Sequence, residues 1–451
     1  MKNHPTEIAA PGALSGERYR NVVDAFKETE AARKTKSEDY FINDRLAVTY
    51  VTLTTIILAF SYLVPVLPIL ILFAMWLPLP LFKGLGMLRP SRSLIWASLL
   101  PLFSMLSALW SDYSFKSLYL GIAFFSTIIC IIIVNRTIRF KAFVQGMVLG
   151  LSFCMAATLQ SGAQGTDVFS DTYALIGYFG SKNTVGGFAG FGMLASAGLF
   201  FIEKGFWRRI LTCLGPFILC LVCLYLSKSA TSLVAITVSL AAMLWAGLMC
   251  YLPRSVKFII IATSIMLFVT LMTGIAMDGG KTLLNALGKD ATLTGRTYLW
   301  SEGYKIGWER PVLGHGYCAF WVQGQPQAER YWYEFLIPSR AGFHFHSTYI
   351  QVFVDLGLIG TLLVICQLFG ACIQATRFAL RGRMRAEGAL LFGFSLMFLI
   401  RSFVEVEIVG VFSISALLFY TINLRLAQWV PATRTVHLPS TEGAAHGTSP
   451  R

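Results

Sequence analysis

Charge is scarce in this chain. Asp, Glu, Lys and Arg supply 13% of its 451 residues, while apolar types supply 55%. An ordinary soluble domain carries about 25% charged residues, so that class is excluded. Acidic residues are the rarer sign, 23 against 37 basic, giving a net charge of +14. Nine cysteines are present, and all but Cys318 fall in apolar runs, including Cys220 and Cys223, which are spaced as CxxC inside one such run. A disulfide framework and a thiolate metal or redox motif are therefore not expected. No internal repeat is visible, and the two halves do not mirror each other in span length, which argues against a transporter. The segment to Arg45 is polar and charged, so the first apolar run begins too late for a secretory signal peptide.

What is present is apolar runs of about 18 residues or more, the pattern of membrane helices. Twelve candidate spans are expected, at 47–63, 65–82, 93–110, 115–135, 140–160, 185–202, 209–226, 231–252, 257–277, 347–375, 387–404 and 408–425. Pro65 and Pro68 divide residues 47–82 into two short helices; the rival reading is one long tilted helix, which would invert everything downstream. Basic residues decide between them by the positive-inside rule. With twelve spans, the inner segments carry Lys27, Arg33, Lys34, Lys36 and Arg45, then Lys83, Arg89 and Arg92, then Arg136, Arg139 and Lys141. Further along they carry Lys204, Arg208 and Arg209, then Arg254 and Lys257, then Arg377, Arg381, Arg383 and Arg385. The short outer segments hold one or two basic residues at most. The high net charge thus reports topology, and no nucleic-acid partner is expected.

The fold class that follows is an all-α polytopic membrane protein with both termini in the cytoplasm. Its expected parts are a cytoplasmic segment (1–45), nine membrane helices (46–277), one long helical outer loop (278–346), three further membrane helices (347–426) and a disordered cytoplasmic tail (427–451). The outer loop is the one long polar interruption. At roughly 70 residues it is the kind of loop that carries function.

Topology sorts the polar residues. Lys182 and Asn183, Lys228, and the loop's Arg296, Arg310, Arg340, His344 and His346 all fall on the outer side. Arg401 stands near the outer end of its span, close to Glu405 and Glu407. A charge at bilayer depth costs about 2.5–3.5 kcal/mol, so Arg401 is functional or ion-paired with one of those carboxylates, and both readings can hold. In Thr294-Gly295-Arg296-Thr297-Tyr298-Leu299-Trp300, Thr294 is the expected N-cap of a helix. Arg296 then sits at a helix N-terminus, where free N–H groups and the dipole favour anions and a guanidinium fork suits phosphate. The competing reading is a solvated surface arginine. Trp300, Tyr304 and Trp308 share one face of that helix, as core or as a sugar-stacking surface. The Ser227-Lys228-Ser229-Ala230-Thr231-Ser232 turn holds a phosphate or simply caps the next helix. His344 and His346 lie where the loop re-enters the membrane. No carboxylate or cysteine stands at ligand spacing near them, so a metal is not expected; acid/base work and helix capping remain.

Thr294-Gly295-Arg296-Thr297 with Trp300, Pro311-Val312-Leu313-Gly314-His315-Gly316, His346-Ser347-Thr348-Tyr349-Ile350-Gln351 and Leu356-Gly357-Leu358-Ile359-Gly360 resemble the O-antigen ligase/polymerase superfamily. Phe179-Gly180-Ser181-Lys182-Asn183 and Ser227-Lys228-Ser229 are similar to its exopolysaccharide polymerase branch. The resemblance implies a GT-C-like membrane fold and a metal-independent, inverting glycosyltransferase without cofactors. Its substrates would be undecaprenyl-pyrophosphate-linked glycans, as donor and as acceptor. Localisation would be the bacterial inner membrane with the site facing the periplasm; the partners would be the bilayer and, beyond it, a chain-length regulator. By the same resemblance Arg296 and His346 are the catalytic pair, Arg296 on the pyrophosphate and His346 at the acceptor hydroxyl. Lys182, Lys228, Arg340 and Arg401 would assist the donor, and His344, Glu405 and Trp300 would support the acceptor side. Many relatives carry Arg in the turn where this chain reads Ser229-Ala230-Thr231, with Lys228 the nearest substitute. The expected activity is polymerisation of lipid-linked repeat units; the alternatives are ligation of a finished glycan to lipid A-core or protein, and transport of the same lipid-linked glycan.

Overall fold

Described in the computed structural model are residues 40–249 apart from 62, 64–66 and 168–169, then 251–253, 255–260, 263, 266, 295–380 and 385–429. The segment before residue 40, most of the 257–277 span, the start of the long loop and the tail from 430 lie outside them.

The helices are Asp44–Phe60 (α1), Leu67–Trp76 (α2), Pro78–Lys83 (α3), Arg92–Leu106 (α4), Ser114–Thr137 (α5), Phe140–Ser161 (α6) and Lys182–Ile202 (α7). They continue as Phe206–Ser227 (α8), Ala230–Met249 (α9), Arg296–Glu309 (α10), Pro326–Glu334 (α11), Thr348–Leu380 (α12), Arg385–Ser402 (α13) and Ile414–Trp429 (α14). Among the described residues, 7 helices are long and apolar enough to cross a membrane: α4 with its extension to Leu109, α5 to α9, and α12. The protein is a polytopic helical membrane protein. Helix α1 ends at Phe60 and α2 begins at Leu67, so residues 47–82 form separate helices and not one long tilted one. Trp76 keeps the two sides packed, its indole N–H donating to Thr54 Oγ1 at 3.0 Å. Among the described residues, the strands are those of a small antiparallel pair, Gln164–Asp167 (β1) with Ser170–Leu175 (β2), between α6 and α7.

The long loop is built into the bundle. At Gly357 the backbone of α12 leaves helical geometry, with φ 64° and ψ −162°. That break frees carbonyls and N–H groups that must find partners in an apolar setting. The Pro311–Gly316 segment supplies them. His315 N–H donates to Val354 O at 2.9 Å and Gly316 N–H to Asp355 O at 2.8 Å, while Leu358 N–H donates to Pro311 O at 2.7 Å. The approach tolerates no side chain on either segment: a Cβ on Gly357 would stand 2.4 Å from the Val312 carbonyl, and one on Gly314 2.5 Å from that of Asp355. This is the physical content of the two glycine motifs.

The loop also ties to the α4–α5 turn, through Trp110 Nε1 to Leu313 O at 3.0 Å and Lys116 Nζ to Trp321 O at 2.8 Å. It carries a small core of its own, centred on Leu299, Ile306, Phe320, Tyr331, Trp332 and Phe345. Helix α10 therefore rests on α12 through its glycine edge, with Gly303 against Ile350 and Gly307 against Phe353.

Candidate active site

Arg296 is the first residue of α10, as its sequence context indicates. The N-cap is Gly295 with φ 80°, and no side chain caps the helix there; Thr294, the expected cap, lies outside the described residues. The Arg296 side chain folds toward the segment after α13. Its Nη1 donates to Val404 O at 2.8 Å and its Nη2 to Glu405 Oε1 at 3.0 Å. Both partners in the ion pair are largely buried, at 13% and 8% side-chain exposure.

The other oxygen of Glu405 faces the second candidate. His346 Nδ1 stands 3.6 Å from Glu405 Oε2, beyond a good hydrogen bond but within ion-pair range. His346 has φ 50°, a left-handed conformation that turns its ring back toward the loop. His344 fixes this turn, its Nδ1 accepting from the His346 N–H at 3.0 Å with the two rings 4.3 Å apart. The peptide between them is clamped from both sides. Trp300 Nε1 donates to Phe345 O at 2.8 Å, and Gln351 Oε1 accepts from Phe345 N–H at 3.3 Å. Gln351 is held in turn by Asp355, at 2.9 Å from its amide nitrogen. Gln351 and Asp355 escape a reading by site chemistry alone. Their signal was present as an amide and a carboxylate four residues apart on an otherwise apolar helix.

Two carboxylates divide the work expected of one. Arg401 pairs with Glu407, at 2.6 Å, and leaves Glu405 to Arg296 and His346. Arg401 is buried, and its Nη1 donates to Ser232 Oγ at 2.8 Å. Ser232 bonds Ser229, which donates to Asn183 Oδ1 at 3.0 Å. Space for the guanidinium comes from Gly187, whose Cβ would stand 2.7 Å from Nη2. The two halves meet at Thr348, whose hydroxyl donates to Glu405 O at 2.8 Å and accepts from Glu407 N–H at 2.9 Å. One polar seam thus runs from Asn183 to His344 across α7, α9, α13 and α12. Lys182 opens α7 beside Asn183, and Lys228 is the exposed left-handed cap of α8, φ 48°, beside Ser229. Both stand at the same end of the bundle as Arg296. Arg340 does not join this seam by the bonds it makes: it pairs with Glu329 of α11 at 3.0 Å. The Trp300 stripe divides, with Trp300 bonded to the site while Tyr304 and Trp308 are half exposed along α12.

The structure also corrects the reason for setting a metal aside. A carboxylate does stand near the histidines: His344, His346 and Glu405 bring one ligand atom each within 4.8 Å of one another. The sequence concealed this because Glu405 arrives from a different span.

Electrostatics tune the cluster. Burial, and then the neighbouring His346, push His344 down to about 3. Burial opposes the charge on Glu405, but His346, Arg296 and His344 together outweigh it and hold the carboxyl well below its ordinary range. Both shifts have one sign in linkage. Between the ordinary value of 6.5 and about 3 the unfolded chain protonates His344 while the folded chain does not, so stability falls as pH drops through that window. Glu405 adds stability that is complete above its ordinary value of 4.5 and is lost in stronger acid. Thermal unfolding of the purified protein should therefore show a flatter acid loss for His344→Gln between about pH 6.5 and 4.5, with little difference at neutral pH. An unchanged slope would remove His344 from the cluster's proton balance.

Residues 215–365 match the family described as O-Antigen ligase, a stretch that contains Arg296, His344 and His346. The chain is also 34% identical over 381 residues to the exopolysaccharide production protein ExoQ of Rhizobium meliloti (strain 1021), covering 84% of this chain and 87% of that protein. Likeness of this extent shows that the chain belongs to the O-antigen ligase and polysaccharide polymerase family.

Proposed function

We propose that this protein polymerises undecaprenyl-pyrophosphate-linked oligosaccharide units into an exopolysaccharide on the periplasmic side of the bacterial inner membrane. The observation that carries the reading is the single carboxylate of Glu405 shared between Arg296 and His346. It joins a cation suited to a diphosphate to a base suited to a hydroxyl.

In the reaction, the acceptor hydroxyl oxygen attacks the anomeric carbon of the donor glycan from the face opposite the leaving group. The new C–O bond forms as the bond to pyrophosphate breaks, which inverts the anomeric centre. The hydroxyl proton passes to His346, whose Nδ1 faces the Glu405 carboxylate at 3.6 Å and whose Nε2 is left to the acceptor. The departing charge stays on the lipid pyrophosphate, stabilised by Arg296 and the first N–H groups of α10, with Lys182, Lys228 and Arg401 along the seam. Such cations do what a divalent metal does elsewhere. The donor set of the His344–His346–Glu405 trio favours this reading, since Glu405 already meets a guanidinium and His344 Nδ1 already accepts a backbone N–H.

Charge alternation along the sequence supports the periplasmic side and the cytoplasmic termini, with the loop over 278–346 as the outer element. The name of the ExoQ relative favours exopolysaccharide production over the alternatives. Ligation to lipid A-core or protein is the second reading, favoured by the family's description, and differs only in the acceptor. Transport fits poorly, because the cations gather at one end of the bundle and not at mid-depth.

Deletion of the gene, followed by gel analysis of lipid-linked and surface glycans, tests the assignment. A polymerase leaves single repeat units on the carrier. Full-length polymer lacking only its final attachment would replace polymerisation with ligation, and an unchanged profile would overturn both.

A further inference from the structure

Helix α10 presents two unlike sides. Its glycine edge is buried on α12, while Tyr304 and Trp308 remain 53% and 52% exposed. These two rings lean on one partner, Phe353 of α12, with centroids 6.1 Å and 5.8 Å away. The register of the packing advances along both helices together. Gly303 meets Ile350, Gly307 meets Phe353, and Pro311 O accepts from Leu358 N–H. Helix α10 therefore does not lie across the end of α12. It runs alongside, with Arg296 at the outer end and the Pro311–Gly314 turn nearest the membrane interior.

The height of that turn follows from α12 itself. Taking Arg377 as the inner boundary, a hydrocarbon layer of about 30 Å takes up about 20 residues at 1.5 Å each and ends near Gly357. Phe353 then stands about 6 Å beyond the hydrocarbon edge, within a headgroup layer about 5–7 Å thick. Trp308 shares that level, and Val312, opposite Ile359, shares the edge. The exposed residues below are apolar: Val312 is 56% exposed, Leu358 49% and Leu362 61%.

We propose that the second half of α10 and the turn after it, Tyr304 to Leu313, form a wedge that dips through the phospholipid headgroup layer to the hydrocarbon edge. Tyr304 and Trp308 act as interfacial anchors, with apolar ring bodies against lipid and polar edges toward headgroups. Val312 touches the acyl chains. The partner is the lipid surface, because exposed Val312 lies against Leu358 and Ile359, themselves exposed on the side of a membrane-spanning helix. The wedge sets the height of Arg296 above the bilayer, at the far end of the same rigid helix. The inference rests on the membrane fold and is independent of the transfer chemistry.

Fluorophores attached to Tyr304→Cys, Trp308→Cys and Val312→Cys test it, with Tyr333→Cys, exposed on α11, as the aqueous control. The full chain is placed in phosphatidylethanolamine–phosphatidylglycerol vesicles, and labelling of the exposed native Cys366 is subtracted using unsubstituted protein. At positions 304 and 308, headgroup nitroxides should quench several-fold more than aqueous iodide does, and at 312 an acyl-chain nitroxide should quench most. The control should respond to iodide alone. Iodide quenching at 304, 308 and 312 equal to the control would overturn the proposal. So would protection from all three quenchers, which would mean that a second copy or another protein covers this edge. Because the readout is position and not product, it stands apart from the outcome of the glycan analysis.

Discussion

Arg296→Ala is expected to reduce polymer formation by about 10²–10³-fold or more, the loss seen when one preorganised donor to a developing anion is removed. Two effects combine. On the proposed mechanism the donor's pyrophosphate loses its planar fork, and Glu405 is left as a buried carboxylate with only the longer His346 contact. Breaking a buried pair from one side costs about 3–5 kcal/mol, so the variant should also be less stable. The two losses separate in the double variant Arg296→Ala/Glu405→Gln. Removing the orphaned charge should restore the amount of folded protein in the membrane without restoring product. Arg296→Lys should resemble Arg296→Ala in activity, because one ammonium cannot meet Val404 O, Glu405 and a phosphate with the geometry of a fork. Immunoblots of the membrane fraction beside glycan gels check each step. Full activity in Arg296→Ala would remove Arg296 from the reaction.

His346 should lose about 10²–10⁴-fold on replacement, the range for a positioned general base. The choice of replacement matters, because φ here is 50°. Alanine is strained in the left-handed region, whereas asparagine adopts it more readily and does not titrate. His346→Asn should therefore accumulate better than His346→Ala while being equally inactive, which separates chemistry from backbone strain. Added imidazole that restores part of the His346→Ala rate would mark proton transfer. A raised acceptor KM with no imidazole rescue would mark orientation of the acceptor instead. Full activity of both variants would end the catalytic assignment.

Much of this architecture is legible in the sequence, and what is hidden has a common cause. Apolar runs announce the helices because burial in lipid demands about 20 apolar residues at a time. Arg296 at a helix start and His346 at the point of re-entry are local features, set by neighbours within a turn. Glu405 meets Arg296 across 109 residues and Ser232 meets Arg401 across 169, and no local pattern encodes such pairings. The choice of Glu407 over Glu405 for Arg401 depends on a bend between α13 and α14 that packing alone decides. The break at Gly357 is concealed differently: one glycine inside an apolar run is tolerated in a helix, and only the arrival of Val312 shows why it is needed. The hairpin between α6 and α7 is too short and too polar to stand out from a connecting loop.

A helix whose backbone ladder is completed by another segment cannot rotate or slide without carrying that segment along. Helix α12, the Pro311–Gly316 segment and α10 therefore form one mechanical part, a stator, with Arg296 and His346 both mounted on it. In the proposed reaction their spacing would be preserved while a bulky glycan enters and leaves. Whatever yields to admit it belongs to the other wall of the site, where Ser229, Asn183 and Lys228 sit on short turns held by hydroxyl contacts instead of a shared backbone.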